Sequence, residues 1–204
     1  MARRFLLLLT LTESTIAVIP ILRSVFECGV MAQWVRWVPG SDAALMEETR
    51  GQLEAMNKYL SRSTASHIRD EAARTRSDHA DLAENWPDLS ERAHSARFAA
   101  ICDAFYGGAD LYSRYKYMSA HTHAGIEVAG AWLLLDDDGP GVGRPLLKKP
   151  RERWTVKDVA YIGLQALGWS SRAFDDLVAE SPRSDFLDSV EQRTQVSTWL
   201  QIRA

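Results

Sequence analysis

Hydrophobic residues recur three or four positions apart along most of this chain, and no segment alternates hydrophobic and polar residues as a half-buried strand would. The spacing predicts helices over 4–38, 41–61, 66–84, 90–106 and 109–126, and two more that begin near Thr155 and Ser181. No linker rich in proline or serine divides the chain. The sequence therefore predicts an all-α fold, a single-domain bundle of six to eight helices over residues 1–204.

The first predicted helix is hydrophobic on nearly all of its sides. Between Ser14 and Val35 only Arg23 and Glu27 are charged. A helix of this kind must be surrounded by other elements, so we expect it at the centre of the bundle. Pro20 either kinks this helix or begins its second half.

The long helix towards the C-terminus has a recognisable start, because Thr155 and Asp158 make an approximate capping box. Its inward face is predicted from helical spacing to be Val159, Ile162, Ala166, Trp169, Ala173 and Leu177. In the helix that follows, the spacing directs Leu187, Val190 and Leu200 inward.

Composition and charge narrow the classes of function. The chain has 46% hydrophobic and 25% charged residues, as ordinary globular proteins do. Its net charge of −3 and pI near 6.0 argue against a broad nucleic-acid surface, which is normally basic, but leave room for a local basic pocket. Cys28 and Cys102 lack the spacing of a zinc site and are predicted to be buried thiols in a reducing compartment.

The N-terminal run MARRFLLLLTLT has the arginines and the short hydrophobic stretch of a secretory signal. Glu13 interrupts that pattern, and no clean small-x-small cleavage site follows. Glu13, Arg23 and Glu27 also break the run of about 20 hydrophobic residues that a membrane span needs. We therefore expect a cytoplasmic protein that does not span a membrane.

Groups capable of acid–base chemistry are concentrated in one predicted helix, in the stretch SRYKYMSAHTHAG. At about 100° per residue, the stripe that faces the core is Leu111, Tyr115, Met118, Thr122 and Ile126. One edge of this stripe holds Tyr112, Ser119 and His123, and the opposite edge holds Arg114 and His121. The helix thus contains two candidate sites.

The edge with His123 has two interpretations. It can be a hydrogen-bonded boundary between core and solvent. It can also be a pocket in which His123 acts as acid or base near neutral pH, positioned by Ser119 or Tyr112. The sequence leaves both open.

Arg23 and Glu27 lie four residues apart on the otherwise hydrophobic first helix. Because an isolated buried charge is costly, we expect them to pair with each other or with Tyr112, Ser119 or His123 of a neighbouring helix. The alternative is a buried ion pair that only fixes the register of the helices.

Metal binding is not expected. His121 and His123 point about 200° apart on a helix, so both cannot face one ion. No other segment holds a recognisable cofactor motif, and we expect no cofactor.

Two resemblances follow from these residues. The run ESTIAVIPILRSVFECGVMAQWV, with YKYMSAHTHAG about 90 residues later, resembles an uncharacterised bacterial family of all-helical domains common in actinobacteria. Its pattern is an Arg…Glu first helix and a Tyr…Ser…His later helix, which here correspond to Arg23, Glu27, Tyr115, Ser119 and His123. That family brings no established activity.

The second resemblance is to the HEPN superfamily of helical bundles from bacterial toxin, defence and RNA-processing systems. In that superfamily an Arg and a His separated by four to six residues cleave RNA without a metal, and Arg114 and His121 have six residues between them. The resemblance implies RNA as a partner and a homodimer in which paired helices form one cleft. The position after Arg114 is Tyr115, where the superfamily usually has a small polar residue.

Two hypotheses for function result. The first is a metal-independent ribonuclease of the HEPN type, with catalytic candidates among His123, Ser119, Arg114 and His121. The second is a non-catalytic helical module that binds a protein partner or small ligand through a buried polar site of Arg23, Glu27 and His123. Tyr112 and Tyr115 belong to the same predicted polar network.

Overall fold

The computed structural model describes residues 16–83, 98–122, 125–132, 147, 154–178 and 180–203. A 3-10 turn at Ile16–Val18 leads into eight helices: α1 (Ile19–Trp37), α2 (Ser41–Leu60), α3 (Ser66–Ala83), α4 (Phe98–Asp103), α5 (Gly108–Ala120), α6 (Ile126–Trp132), α7 (Val156–Asp175) and α8 (Ser184–Thr194). Across these ranges the extended pairing is limited to one isolated bridge, between Phe105 and Ile202. The predicted all-α bundle of six to eight helices is confirmed.

Helices α1 and α7 form the centre of the bundle and share its most extensive contact. Gly29 allows them to approach closely, because a Cβ at this position would lie 2.6 Å from the carbonyl oxygen of Ala166. Phe26 and Trp169 meet edge to face in the same interface, with ring centroids 5.7 Å apart. The prediction that the first helix is central is confirmed.

Other helices pack around this pair. Helices α2, α4 and α5 pack on α1, while α8 packs on α7 and α3 packs on α2. The capping box that begins α7 is present, since the Thr155 hydroxyl accepts from the Asp158 N–H and the Asp158 carboxylate accepts from the Thr155 N–H. Pro20 lies in the first turn of α1, where its missing N–H costs nothing, so it begins a helix instead of kinking one.

The C-terminal segment after α8 is held by buried polar side chains. Arg172 is 1% exposed, donates hydrogen bonds to Thr198 and pairs with Asp188. Gln33, also buried, donates to the carbonyl of Trp169 and accepts from the N–H of Leu200. Leu200, predicted to face inward from the last helix, is half-buried in this segment, because α8 ends at Thr194.

Helix α5 is shorter than predicted. The helix predicted over 109–126 ends at Ala120, where the N–H of His121 bonds to the Met118 carbonyl three residues back and tightens the last turn. Ile126 consequently begins a separate helix, α6. Of the predicted helices, residues 4–15, 84, 90–97 and 123–124 lie outside the described residues.

Two predictions of burial are wrong. Leu177 is 67% exposed, because α7 ends at Asp175, and Cys28 is exposed on α1. Both line a hydrophobic groove described below. Cys102 is buried as predicted, and that burial, with the negative charges of Asp103 and Glu27, raises the pKa of its thiol to about 12.

Among the described helices, the stretch Ile16–Trp37 is long and hydrophobic enough to cross a membrane by length and composition alone, with a mean hydropathy of 1.5. It is also the stretch that supplies the central helix of the bundle. Central helices of a bundle and spanning helices share this composition.

Candidate functional site

Arg23 of α1 is the centre of a hydrogen-bonded group that reaches α5. Its Nε donates to the hydroxyl of Ser119 at 2.9 Å, and its Nη2 donates to the hydroxyl of Tyr115 at 2.7 Å. The same guanidinium lies 3.5 Å from the Glu27 carboxylate, one turn along α1. We call these four residues the Arg23 network.

The ring of Tyr115 fixes the hydroxyl that Arg23 contacts. It packs against Phe98 with centroids 4.3 Å apart and stacks on Tyr112 at 6.0 Å. The side chains of Arg23 and Glu27 are 23% and 30% exposed, so the network lies at the edge of the core and not deep within it. Its geometry joins α1 to α5.

Tyr112 and His123 were also predicted to belong to this site. Among the described contacts, Tyr112 makes no hydrogen bond to Arg23 and takes part through its ring alone. His123 lies outside the described residues. Its proposed role as acid or base stays a prediction.

The spacing predicts His121 beside Arg114 at one edge of α5, but α5 ends at Ala120 and His121 lies beyond it. It is 6% exposed, because α5 has ended and the ring turns under Tyr117, with centroids 4.9 Å apart. Its Nδ1 lies 2.8 Å from the carbonyl oxygen of Tyr117. A carbonyl only accepts, so Nδ1 carries the hydrogen and Nε2 is the nitrogen left for proton transfer.

Arg114 is exposed and lies two turns before His121. Its Nη1 donates to Oε1 of Gln165 on α7 at 3.2 Å. The two residues are seven positions apart in the chain, which corresponds to roughly 10 Å along a helix axis. The described hydrogen bonds and ion pairs include none between Arg114 and His121.

Arg114 lies in a groove of about 360 Å³ between α5 and α7. We call it the Arg114 groove; its lining is Arg114, Tyr117, Trp154, Asp158, Tyr161 and Ile162. Tyr117 and Trp154 pack together with ring centroids 5.1 Å apart, and Tyr117 and Tyr161 are 41% and 47% exposed. Aromatic faces and one cation therefore meet on an open surface.

Asp158 adds a negative charge to the same groove. Hydrogen bonds from the Thr155 hydroxyl, and then from its backbone N–H, hold the pKa of the Asp158 carboxyl below its ordinary value. Both bonds go to Oδ2, at 2.7 and 2.9 Å, so Oδ1 points elsewhere and has no partner among the described residues. The groove thus presents an acceptor as well as the guanidinium donors.

A second groove, of about 520 Å³, lies between α1, α2 and α7 and includes Cys28, Phe174 and Leu177. Its walls are hydrophobic, and the hydroxyl of Ser170 already donates to the Ala166 carbonyl. Specific sites combine hydrophobic walls with a few polar groups that orient the ligand. The Arg114 groove has such groups, whereas the larger groove offers mainly hydrophobic contact.

Metal binding finds no support in the part of the chain that the structure describes. No group of three His, Cys, Asp or Glu side chains there could hold an ion.

Sequence reasoning named Arg114 and missed the residues around it. Tyr161 lies on the polar side of α7, three residues after Asp158 and four before Gln165, so all three share a face. An exposed aromatic residue between polar residues on an amphipathic helix is the signal that could have indicated the groove.

Comparison with known proteins gives no further information on this site. No family model, no curated protein and no solved structure matches the chain. The two resemblances stated from the sequence stay predictions.

Proposed function

We propose that the protein is a non-catalytic helical module that binds a small ligand in the Arg114 groove. The observation that carries this proposal is the convergence of Arg114 with three aromatic side chains, Tyr117, Trp154 and Tyr161, on one open groove. Exposed aromatic faces beside a charged donor supply both contact area and orientation for a ligand.

The Arg23 network supports this function less well. Nε and Nη2 of Arg23 already donate to Ser119 and Tyr115, and Glu27 balances the charge. A guanidinium engaged in this way holds two helices together, whereas Arg114 uses one N–H on Gln165 and keeps other donors for a ligand.

The experiment is ¹⁹F NMR of protein labelled with 5-fluorotryptophan, which gives one resonance for each of the seven tryptophans. Trp154→Phe assigns the groove resonance, and the core residues Trp34 and Trp169, 3% and 1% exposed, serve as internal references. Mixtures of small aromatic, cationic and anionic compounds are then added. We expect binders to shift Trp154 and leave the two core resonances in place.

Tyr161→Ala removes one groove wall and should abolish these shifts. Tyr59→Ala is the matched control, because Tyr59 is 71% exposed on α2. If no compound class shifts Trp154, or if Tyr161→Ala and Tyr59→Ala respond alike, the proposal fails.

The second candidate function is a metal-independent ribonuclease that acts on RNA as a homodimer. Arg114 favours it, since exposed arginine and aromatic rings together bind single-stranded RNA. The burial of His121 weighs against it, because general acid–base catalysis requires the ring to reach the substrate. Incubating wild type and Arg114→Ala with single-stranded RNA tests this candidate: cleavage that Arg114→Ala abolishes would replace the binding module with the ribonuclease.

A further inference from the structure

The charges of the Arg114 groove restrict the chemistry of its ligand, and this inference rests on the proposed function. We infer that the groove takes a small molecule that joins a flat aromatic ring to an anionic group, either a carboxylate or a phosphate monoester.

The ring requirement comes from the walls. The rings of Tyr117 and Trp154 pack together with centroids 5.1 Å apart and their planes tilted by 38°. Tyr161, on α7, is 47% exposed. A flat ring gains more from such faces than an aliphatic chain of the same area, because offset stacking adds to burial. A volume of about 360 Å³ accommodates one ring system with its substituent.

The anion requirement comes from Arg114. A planar guanidinium recognises carboxylate and phosphate oxygens through paired N–H donors, and its bond to Gln165 holds it against α7. The same charge argues against a quaternary ammonium ligand, which three aromatic rings would otherwise favour. Lys157 is also exposed, one helical turn before Tyr161, and adds positive charge to this face of α7.

Asp158 gives the ligand a direction. Its carboxylate, like that of any ordinary aspartate, is ionised at neutral pH, and the hydrogen bonds from Thr155 stabilise the charged form further. An anion therefore avoids it. The anionic group therefore lies towards Arg114, and an N–H or O–H on the ring side of the ligand meets the unpartnered Oδ1 of Asp158.

Isothermal titration of the full chain with matched probes tests this inference. Indole-3-carboxylate and adenosine 5′-monophosphate carry both features, indole and adenosine lack the anion, and acetate and inorganic phosphate lack the ring. At least one complete probe should bind about tenfold or more tightly than its fragments, and the one that binds distinguishes carboxylate from phosphate. Its affinity should also fall as salt is added.

Arg114→Gln should reduce the affinity of the complete probe to that of its neutral analogue, while Lys58→Gln, a charge change on the exposed side of α2, should leave it unchanged. If indole and adenosine bind as tightly as the acids, or if Arg114→Gln does not change the affinity, the inference about an anionic ligand is overturned. A shift of the Trp154 resonance would still support the proposed binding module in that case. If tetramethylammonium binds tightly and the anionic probes do not, the inference about an anionic ligand is likewise overturned. If no probe of any charge shifts the Trp154 resonance, the proposed function itself falls.

Discussion

The Nε atom of Arg23 lies 2.9 Å from the hydroxyl oxygen of Ser119. This hydrogen bond joins α1 to α5 through two residues that are 96 positions apart in the chain. Tyr115 receives a second bond from the same guanidinium. Because Glu27 supplies the opposite charge one turn away, the group is neutral overall and lies at the edge of the core without an unpaired ion.

Removing the Ser119 hydroxyl should destabilise the fold through Arg23. Ser119→Ala deletes one acceptor of a partly buried charged donor, and we expect a loss of about 1 kcal/mol in the free energy of unfolding. A double-mutant cycle with Arg23→Met, followed by urea denaturation, isolates the pair. Additive effects of the two changes would show that the bond contributes nothing. The sequence also predicts His123 as a partner of Arg23 or Glu27, so His123→Ala belongs in the same series.

Adding one methyl group at the contact between α1 and α7 should be costly. Gly29→Ala would bring a Cβ to 2.6 Å from the Ala166 carbonyl, so the two helices must separate, and we expect a loss of about 1–3 kcal/mol. Gly51→Ala is the matched control, because Gly51 lies in α2 with nothing within 4 Å of such a Cβ, and it should stabilise by about 0.5–1 kcal/mol. Thermal melts of the two variants should therefore move in opposite directions; a shared direction would contradict this account of the contact.

The central position of α1 and the start of α7 were predictable, since each depends on local sequence. A helix whose only charges between Ser14 and Val35 are Arg23 and Glu27 has to be enclosed. The capping box that begins α7, Thr155 with Asp158, lies within four residues of sequence. The end of α5 was not predictable in this way, because hydrophobic spacing continues to Ile126 although the backbone turns at His121.

The residues of the candidate sites also differ in how far local sequence predicts them. Arg23 was recognisable as a charge that required partners, and the structure supplies Ser119 and Tyr115. The Arg114 groove depends on how α5 and α7 meet, which brings together residues as distant as Arg114 and Gln165. Periodicity within one helix carries no information about that pairing.

His121→Ala should lower stability, contrary to the expectation for an exposed residue. The substitution removes the bond to the Tyr117 carbonyl, the ring contact with Tyr117 and a buried volume, and we expect a loss of about 1–3 kcal/mol. Chemical denaturation measures it. A variant as stable as wild type would mean that His121 is exposed in solution, and that result would strengthen the ribonuclease hypothesis.

The two cysteines should differ sharply in reactivity. Cys28 is exposed and should react with a thiol reagent such as DTNB in the native protein, whereas Cys102 should react only after unfolding. Cys28→Ser should remove the fast reaction completely. Fast modification of Cys102 in the Cys28→Ser protein would contradict its burial.

Cys102 also makes stability depend on pH. Burial raises the pKa of its thiol from an ordinary value of 9.0 to about 12, so above pH 9 the unfolded chain releases a proton that the folded chain keeps. The free energy of unfolding should therefore fall as pH rises from about 9 towards 12, by at most about 1.4 kcal/mol per pH unit from this group. Because other groups titrate there too, the measurement is the difference between wild type and Cys102→Ala. Parallel pH profiles for the two proteins would show that the thiol contributes nothing to this dependence.

The claim that the ligand site is the Arg114 groove and not the Arg23 network is tested most directly by binding to two variants side by side. The complete probe that binds wild type, indole-3-carboxylate or adenosine 5′-monophosphate, is titrated into wild type, Tyr161→Ala and Ser119→Ala, with the Trp154 fluorine resonance as the readout. Tyr161→Ala removes a groove wall and should weaken binding about tenfold or more, while Ser119→Ala should leave the affinity within about twofold of wild type. The opposite result, with binding lost in Ser119→Ala and kept in Tyr161→Ala, would contradict the account and locate the site at the Arg23 network.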